Sequence, residues 1–261
     1  MTEIAEPAVE AYPRVAWLRY FIRPIEGNDV APSYKTFGAL QGFTYAIAYR
    51  DAVFEPLIAY TTIEAARAAL DPLLEAWQIA GLAGTAGLYL ISVFQFQFYS
   101  AEFLQYAGDP APAEKRLRAP PMPPSNLTLQ WERYPAPFVP YGVDDCVRDL
   151  VAHIIASLRS GERSQLLHAY AIATRVEAFH GGQGKAAAAL NVSVACLKTM
   201  KRLATERGVG ASARKYGKNL KHQPLTSAES QWVRDTMLEL LRRSSRLAAG
   251  GPVGDQFTLS I

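Results

Sequence analysis

Cysteine is nearly missing: Cys146 and Cys196 are the only two in 261 residues. Two thiols cannot staple a small fold, so a disulfide-built secreted domain is excluded and a reducing compartment is expected. No C-x2-C or H-x3-H spacing occurs among these cysteines and the four histidines, so no metal site and no cofactor is expected. Long apolar runs are missing too. The longest, Gly87 to Phe98, is broken by Ser92, Gln95 and Gln97 and falls short of the roughly 18–20 residues that span a membrane. The first ten residues are acidic, without the basic flank and apolar core of a signal peptide, so none is expected. Gly181-Gly182-Gln183-Gly184-Lys185 misses the G-x4-G-K-[ST] spacing of a phosphate loop, and no buried strand precedes it; it reads as a helix stop. Internal repeats and heptads are absent, which excludes solenoids and coiled coils.

What is there is globular. Hydrophobic residues make up 49% of the chain and charged residues 20%, enough to bury a core in one large domain or two small ones. The net charge of +3 conceals a split. Residues 1–142 hold 10 Lys/Arg against 14 Asp/Glu, and residues 143–261 hold 17 against 10. Within 181–222 nine bases face a single acid, Glu206. Such a local excess points to an anionic partner. The acidic N-terminal part is in turn a candidate surface for a protein partner.

The N-terminal part reads as mixed strand and helix. Arg14–Ile22, Gly42–Tyr49 and Val53–Tyr60 have the aromatic and β-branched content of strands, with Pro56 marking the last as an edge or a bulge. Thr61-Thr62-Ile63-Glu64 has capping-box spacing ahead of an amphipathic helix over 62–80, which Asp71-Pro72 should kink and Gly81, Gly84 and Gly87 should close. Leu88–Tyr99 alternates Phe94, Phe96 and Phe98 with Gln95, Gln97 and Tyr99, the pattern of a half-buried strand. Nine of the 17 prolines then fall in 108–142, where neither helix nor ladder can run; a short strand over Leu127–Tyr134 is the exception. From Asp144 onward the period is helical, with helices near 144–158 and 163–179 and a capping box at Thr226–Glu229 opening a last helix through Leu247. The tail alternates Phe257, Leu259 and Ile261 and either pairs with a sheet edge or stays loose. The expected architecture is α+β: an N-terminal mixed sheet with one helix over 1–107, a proline-rich arm or linker over 108–142, and a helical domain over 143–261. Trypsin should cut first in the arm, at Lys115, Arg116 or Arg118.

The segment Lys185–Ala204, KAAAALNVSVACLKTMKRLA, resembles the helix-turn-helix of bacterial DNA-binding proteins. Ala186–Leu190 stands as the first helix. Asn191 tolerates the left-handed turn, Val192 plugs the angle, Ser193 caps the second helix, and Leu197, Met200 and Leu203 point inward. The resemblance implies a second helix in the major groove, with Thr199 nearest the bases and Lys198, Lys201 and Arg202 on phosphates. Val194, Ala195 and Cys196 are poor base readers, which favours phosphate contact over base specificity. Downstream, the glycine-spaced basic run 207–222 adds Arg214, Lys215, Lys218 and Lys221 as phosphate contacts, with Tyr216 able to stack on a base. The expected partner is nucleic acid, DNA rather than RNA, bound by a cytoplasmic regulator or accessory factor.

A second resemblance competes. Arg163–His168 and Arg175–His180 each place an arginine five residues before a histidine. This is similar to the R-x4-6-H motif of HEPN ribonucleases, where the arginine steadies the scissile phosphate and the histidine moves the proton. By that resemblance Arg163, His168, Arg175 and His180 are the alternative catalytic set. A third alternative is a protein-interaction module without catalysis. The whole chain, through GG-x-x-KAAAxL at 181–190 and LTxxExxWV at 225–233, also loosely resembles a group of bacterial proteins of unassigned activity.

Overall fold

The computed structural model describes residues 12–24, 35–48, 50–84, 94–106, 141–160, 162–207 and 224–258. Within these the chain is α+β, with β1 (Arg14–Pro24), β2 (Lys35–Leu40), β3 (Phe43–Ala48), β4 (Asp51–Pro56), α1 (Ile63–Gly84) and β5 (Phe94–Leu104), followed by α2 (Asp145–Ser160), α3 (Glu162–His180), α4 (Gln183–Ala189), α5 (Val194–Glu206) and α6 (Ser227–Ala248). Two compact units emerge: 1–75 with 94–131, and 76–93 with 132–261. The division passes through α1, after Glu75, and again after Trp131, within the proline-rich segment 108–142. That segment, the short strand expected at 127–134 and the expected trypsin sites lie outside the described residues.

The first unit is an antiparallel sheet in the order β2-β3-β4-β1-β5. Alternation sends Leu18, Tyr20 and Ile22 to a buried face, where Tyr20 meets Phe54 and Phe98 edge-on at ring separations of 5.7 and 5.5 Å. The first half of α1 lies over this face: Arg67 sits 4.4 Å above the Phe98 ring, and the Tyr20 hydroxyl donates to Asp71. Asp51, buried on β4, accepts two bonds from the Arg19 guanidinium of β1, a bidentate pairing that offsets the cost of burying its charge.

Several local expectations shift. The strand β2 was not visible in the sequence, because Gly38 interrupts its pattern. The ring of Tyr45, its cross-strand partner, covers Gly38 so closely that an added Cβ would lie 2.5 Å from the hydroxyl oxygen. Gln41 and Gly42 turn the β2–β3 hairpin with φ of 24° and 85°, the positive values that a tight two-residue turn requires. Pro56 ends β4 instead of lying within it, since it has no N–H to extend the ladder. Helix α1 runs through Pro72 and past Gly81. The strand β5 extends to Leu104, five residues beyond the end expected from sequence.

In the second unit, Asp144 caps α2 by accepting from the Val147 N–H at 2.8 Å. The capping box Thr226/Glu229 opens α6 as its spacing predicts. Gln165 of α3 and Ser230 of α6 exchange two buried hydrogen bonds of 2.9 Å. The apolar faces of α2, α3, α5 and α6 supply the core through Leu150, Ile154, Ile172, Leu197, Val233 and Leu240.

Candidate nucleic-acid interface

Helix α4 is only seven residues long, and its alanines explain how a second helix can lie against it: Ala186 and Ala187 are buried and have no side chain beyond Cβ. The chain reverses at Asn191, whose φ of 50° is the left-handed conformation that asparagine adopts at small cost. Val192 follows and is buried. Its N–H bonds the Ala187 carbonyl at 2.9 Å, which closes the turn on α4. Ser193 then caps α5, its hydroxyl accepting from the Cys196 N–H at 3.1 Å. Cys196, Leu197, Met200 and Leu203 are buried. Burial pushes the Cys196 thiol up, so it is an inert hydrophobe rather than a nucleophile.

The opposite face of α5 carries the cations. Lys198 and Arg202 are exposed, one turn apart, beside exposed Val194 and Ala195. Thr199 is half-buried. Lys201 is half-buried and bonded to Glu177 of α3 at 2.7 Å, so its ammonium already has a counter-charge. Arg207, just past α5, holds Glu229 at 2.7 Å. Arg214, Lys215, Lys218 and Lys221 lie outside the described residues.

A buried clamp fixes this turn. Arg243 of α6 is 5% exposed. It donates to the carbonyls of Leu190 and Asn191 at 3.0 and 3.1 Å, to the Asp255 carbonyl at 2.7 Å, and to Glu239 at 2.6 Å. Phe257 exchanges backbone bonds with Asn191 and Ser193 at 3.0 and 3.2 Å, and the Asn191 amide reaches the Gly254 carbonyl at 2.8 Å. The described part of the tail, at Phe257, therefore pairs with the turn. Glu239 and Arg243 are four apart on α6, and packing buries both.

Of the two alternative catalytic pairs, Arg175 and His180 meet different neighbours. Residues five apart on a helix stand about 140° apart around its axis. Arg175 turns to α2 and meets Asp149 at 2.6 Å. His180, in the last turn of α3, instead lines a cavity of about 200 Å³ with Asp144, Cys146, Phe179, Ser244, Leu247 and Ala248. Burial lowers the pKa of His180, with the charge of Asp144 acting against it. The Cys146 thiol is pushed up to about 11, by burial first and by Asp144 second. A thiol so shifted is almost wholly protonated at neutral pH, so Cys146 is not an activated nucleophile. His168 meets His153 of α2, with 3.3 Å between their Nδ1 atoms. Of Arg163 only the backbone position, in α3, is described.

Among the described residues no group of three or more His, Cys, Asp or Glu could hold a metal ion. Among them, too, no helix is long and apolar enough to cross a membrane. No protein-family model, curated protein or solved structure matches the chain.

Proposed function

We propose that the helical unit binds nucleic acid, DNA in preference to RNA, through the exposed face of α5, as a cytoplasmic regulator or accessory factor. The observation that carries this reading is the α4–α5 hairpin. A capped helix follows a left-handed asparagine turn, buries Leu197, Met200 and Leu203, and presents Lys198 and Arg202 outward. A helix held from behind by its apolar face can enter a groove without unfolding, and its cations then replace condensed counterions on the phosphates. Exposed Val194 and Ala195 at its start suit van der Waals contact with a groove wall more than base-specific hydrogen bonds. The basic segment 207–222 would add phosphate contacts.

Salt is the test. Binding of a mixed-sequence duplex by the full chain should weaken steeply with salt, by about 0.9 in log–log slope per phosphate neutralised. Replacing Lys198 and Arg202 together by alanine should flatten that slope by about two such contacts. Lys201→Ala should act less, because Lys201 must first leave Glu177. Absence of binding to duplex DNA and to RNA at low salt would overturn the reading.

A further inference from the structure

The second unit contains a pair of histidines that the nucleic-acid reading does not use. His153 on α2 and His168 on α3 face each other across the helix hairpin, with Nδ1 atoms 3.3 Å apart and ring centroids 5.5 Å apart. Both rings are half-buried. Their separation is at the long end for a hydrogen bond between two nitrogens. It does match the edge of a coordination tetrahedron: metal–nitrogen bonds of about 2.0–2.1 Å at a tetrahedral angle place two ligand nitrogens about 3.3–3.4 Å apart. An octahedral ion with similar bonds would need its neighbouring ligands about 3.0 Å apart.

We propose that His153 and His168 form a two-nitrogen clamp for a tetrahedral divalent transition metal of the zinc type, with solvent filling the remaining positions. The site is preorganised. The Asp149–Arg175 ion pair of 2.6 Å ties the same two helices, about one turn from His153 on α2 and two turns from His168 on α3. A metal would therefore find its two nitrogens in place instead of ordering them at its own cost. Two imidazole nitrogens suit zinc better than magnesium or calcium, which prefer oxygen.

The experiment is a calorimetric titration of the chelator-treated full chain with Zn²⁺, and with Mg²⁺ as control. One Zn²⁺ per chain and no Mg²⁺ uptake are expected. His153→Gln and His168→Gln should each weaken Zn²⁺ binding by about tenfold or more. His180→Gln should leave it unchanged, because His180 lies about 18 Å further along α3 and cannot reach the same ion. In the unsubstituted protein, ¹⁵N-histidine spectra should show Zn²⁺ shifting the ring Nδ1 resonances of His153 and His168, which keeps the test valid if a variant misfolds. No Zn²⁺ binding, binding insensitive to both glutamine variants, or coordination at another histidine would each overturn the proposal.

Discussion

The α2–α3 and α4–α5 hairpins use the same parts, two helices and a short turn, and place their polar residues in opposite ways. Between α2 and α3 the facing groups include Asp149 with Arg175 and His153 with His168. In the second, by contrast, α5 buries Cys196, Leu197 and Met200 and leaves the cations Lys198 and Arg202 exposed. A polar group turned inward must find a partner, because leaving it desolvated and unpaired costs more than the bond is worth. Once paired, it fixes geometry. A polar group turned outward contributes little to stability and stays available. The first hairpin is thus suited to gripping something small between its helices, and the second to presenting a charged surface.

The largest effect should come from the clamp behind the second hairpin. Arg243→Leu leaves Glu239 buried without that partner and three carbonyls short of a donor. Breaking such a pair from one side costs about 3–5 kcal/mol. Urea unfolding should register this loss, and the double replacement with Glu239→Leu should recover part of it. A cost under about 1 kcal/mol would show that the turn does not depend on Arg243.

The contrast between the two faces of α5 can be read from three variants. Leu197→Ala should cost about 2–5 kcal/mol as a buried cavity. Ser193→Ala should cost about 1 kcal/mol as a lost cap. Lys198→Ala should stay within about 0.5 kcal/mol while weakening nucleic-acid binding. A large stability loss for Lys198→Ala would mean that its face is packed and not presented.

The smallest effect is on acid stability. His168 and His180 both have folded pKa values below their ordinary 6.5, each chiefly through burial. The unfolded chain therefore takes up protons first as pH falls through that value, and stability declines toward the lower folded values. Glu229 acts in a lower window. Burial opposes its charge, but the Thr226 amide and Arg207 outweigh it and hold the carboxyl below its ordinary 4.5, so its contribution is present above that value and lost beneath it. Urea midpoints measured from about pH 7.5 down to 5.5 should fall, and His168→Gln should reduce the slope. A flat profile would mean that the inward-facing histidines bear no cost of burial.

Much of the second unit was legible because helix period and caps are local. Leu197, Met200 and Leu203 declared a face by spacing alone, Ser193 and Thr226 declared helix starts, and Asn191 declared a left-handed turn. Strand β2 was not legible, since Gly38 tells nothing until Tyr45 lies over it from the neighbouring strand. Arg175 and His180 were legible as a spacing, but not that one turns to Asp149 and the other to a cavity, because those neighbours come from other elements of the second unit.

The sequence by itself therefore determined where helices begin and turn, which faces are apolar, and where the positive charge collects. These depend on interactions within a few residues along the chain. Only the tertiary structure decided which polar residues meet: Arg19 with Asp51, Lys201 with Glu177, His153 with His168, and Arg243 with the turn it holds. Such contacts join residues 15 to 53 positions apart, and no local periodicity encodes a partner at that distance. They form because desolvated charges and dipoles must be satisfied once packing has buried them.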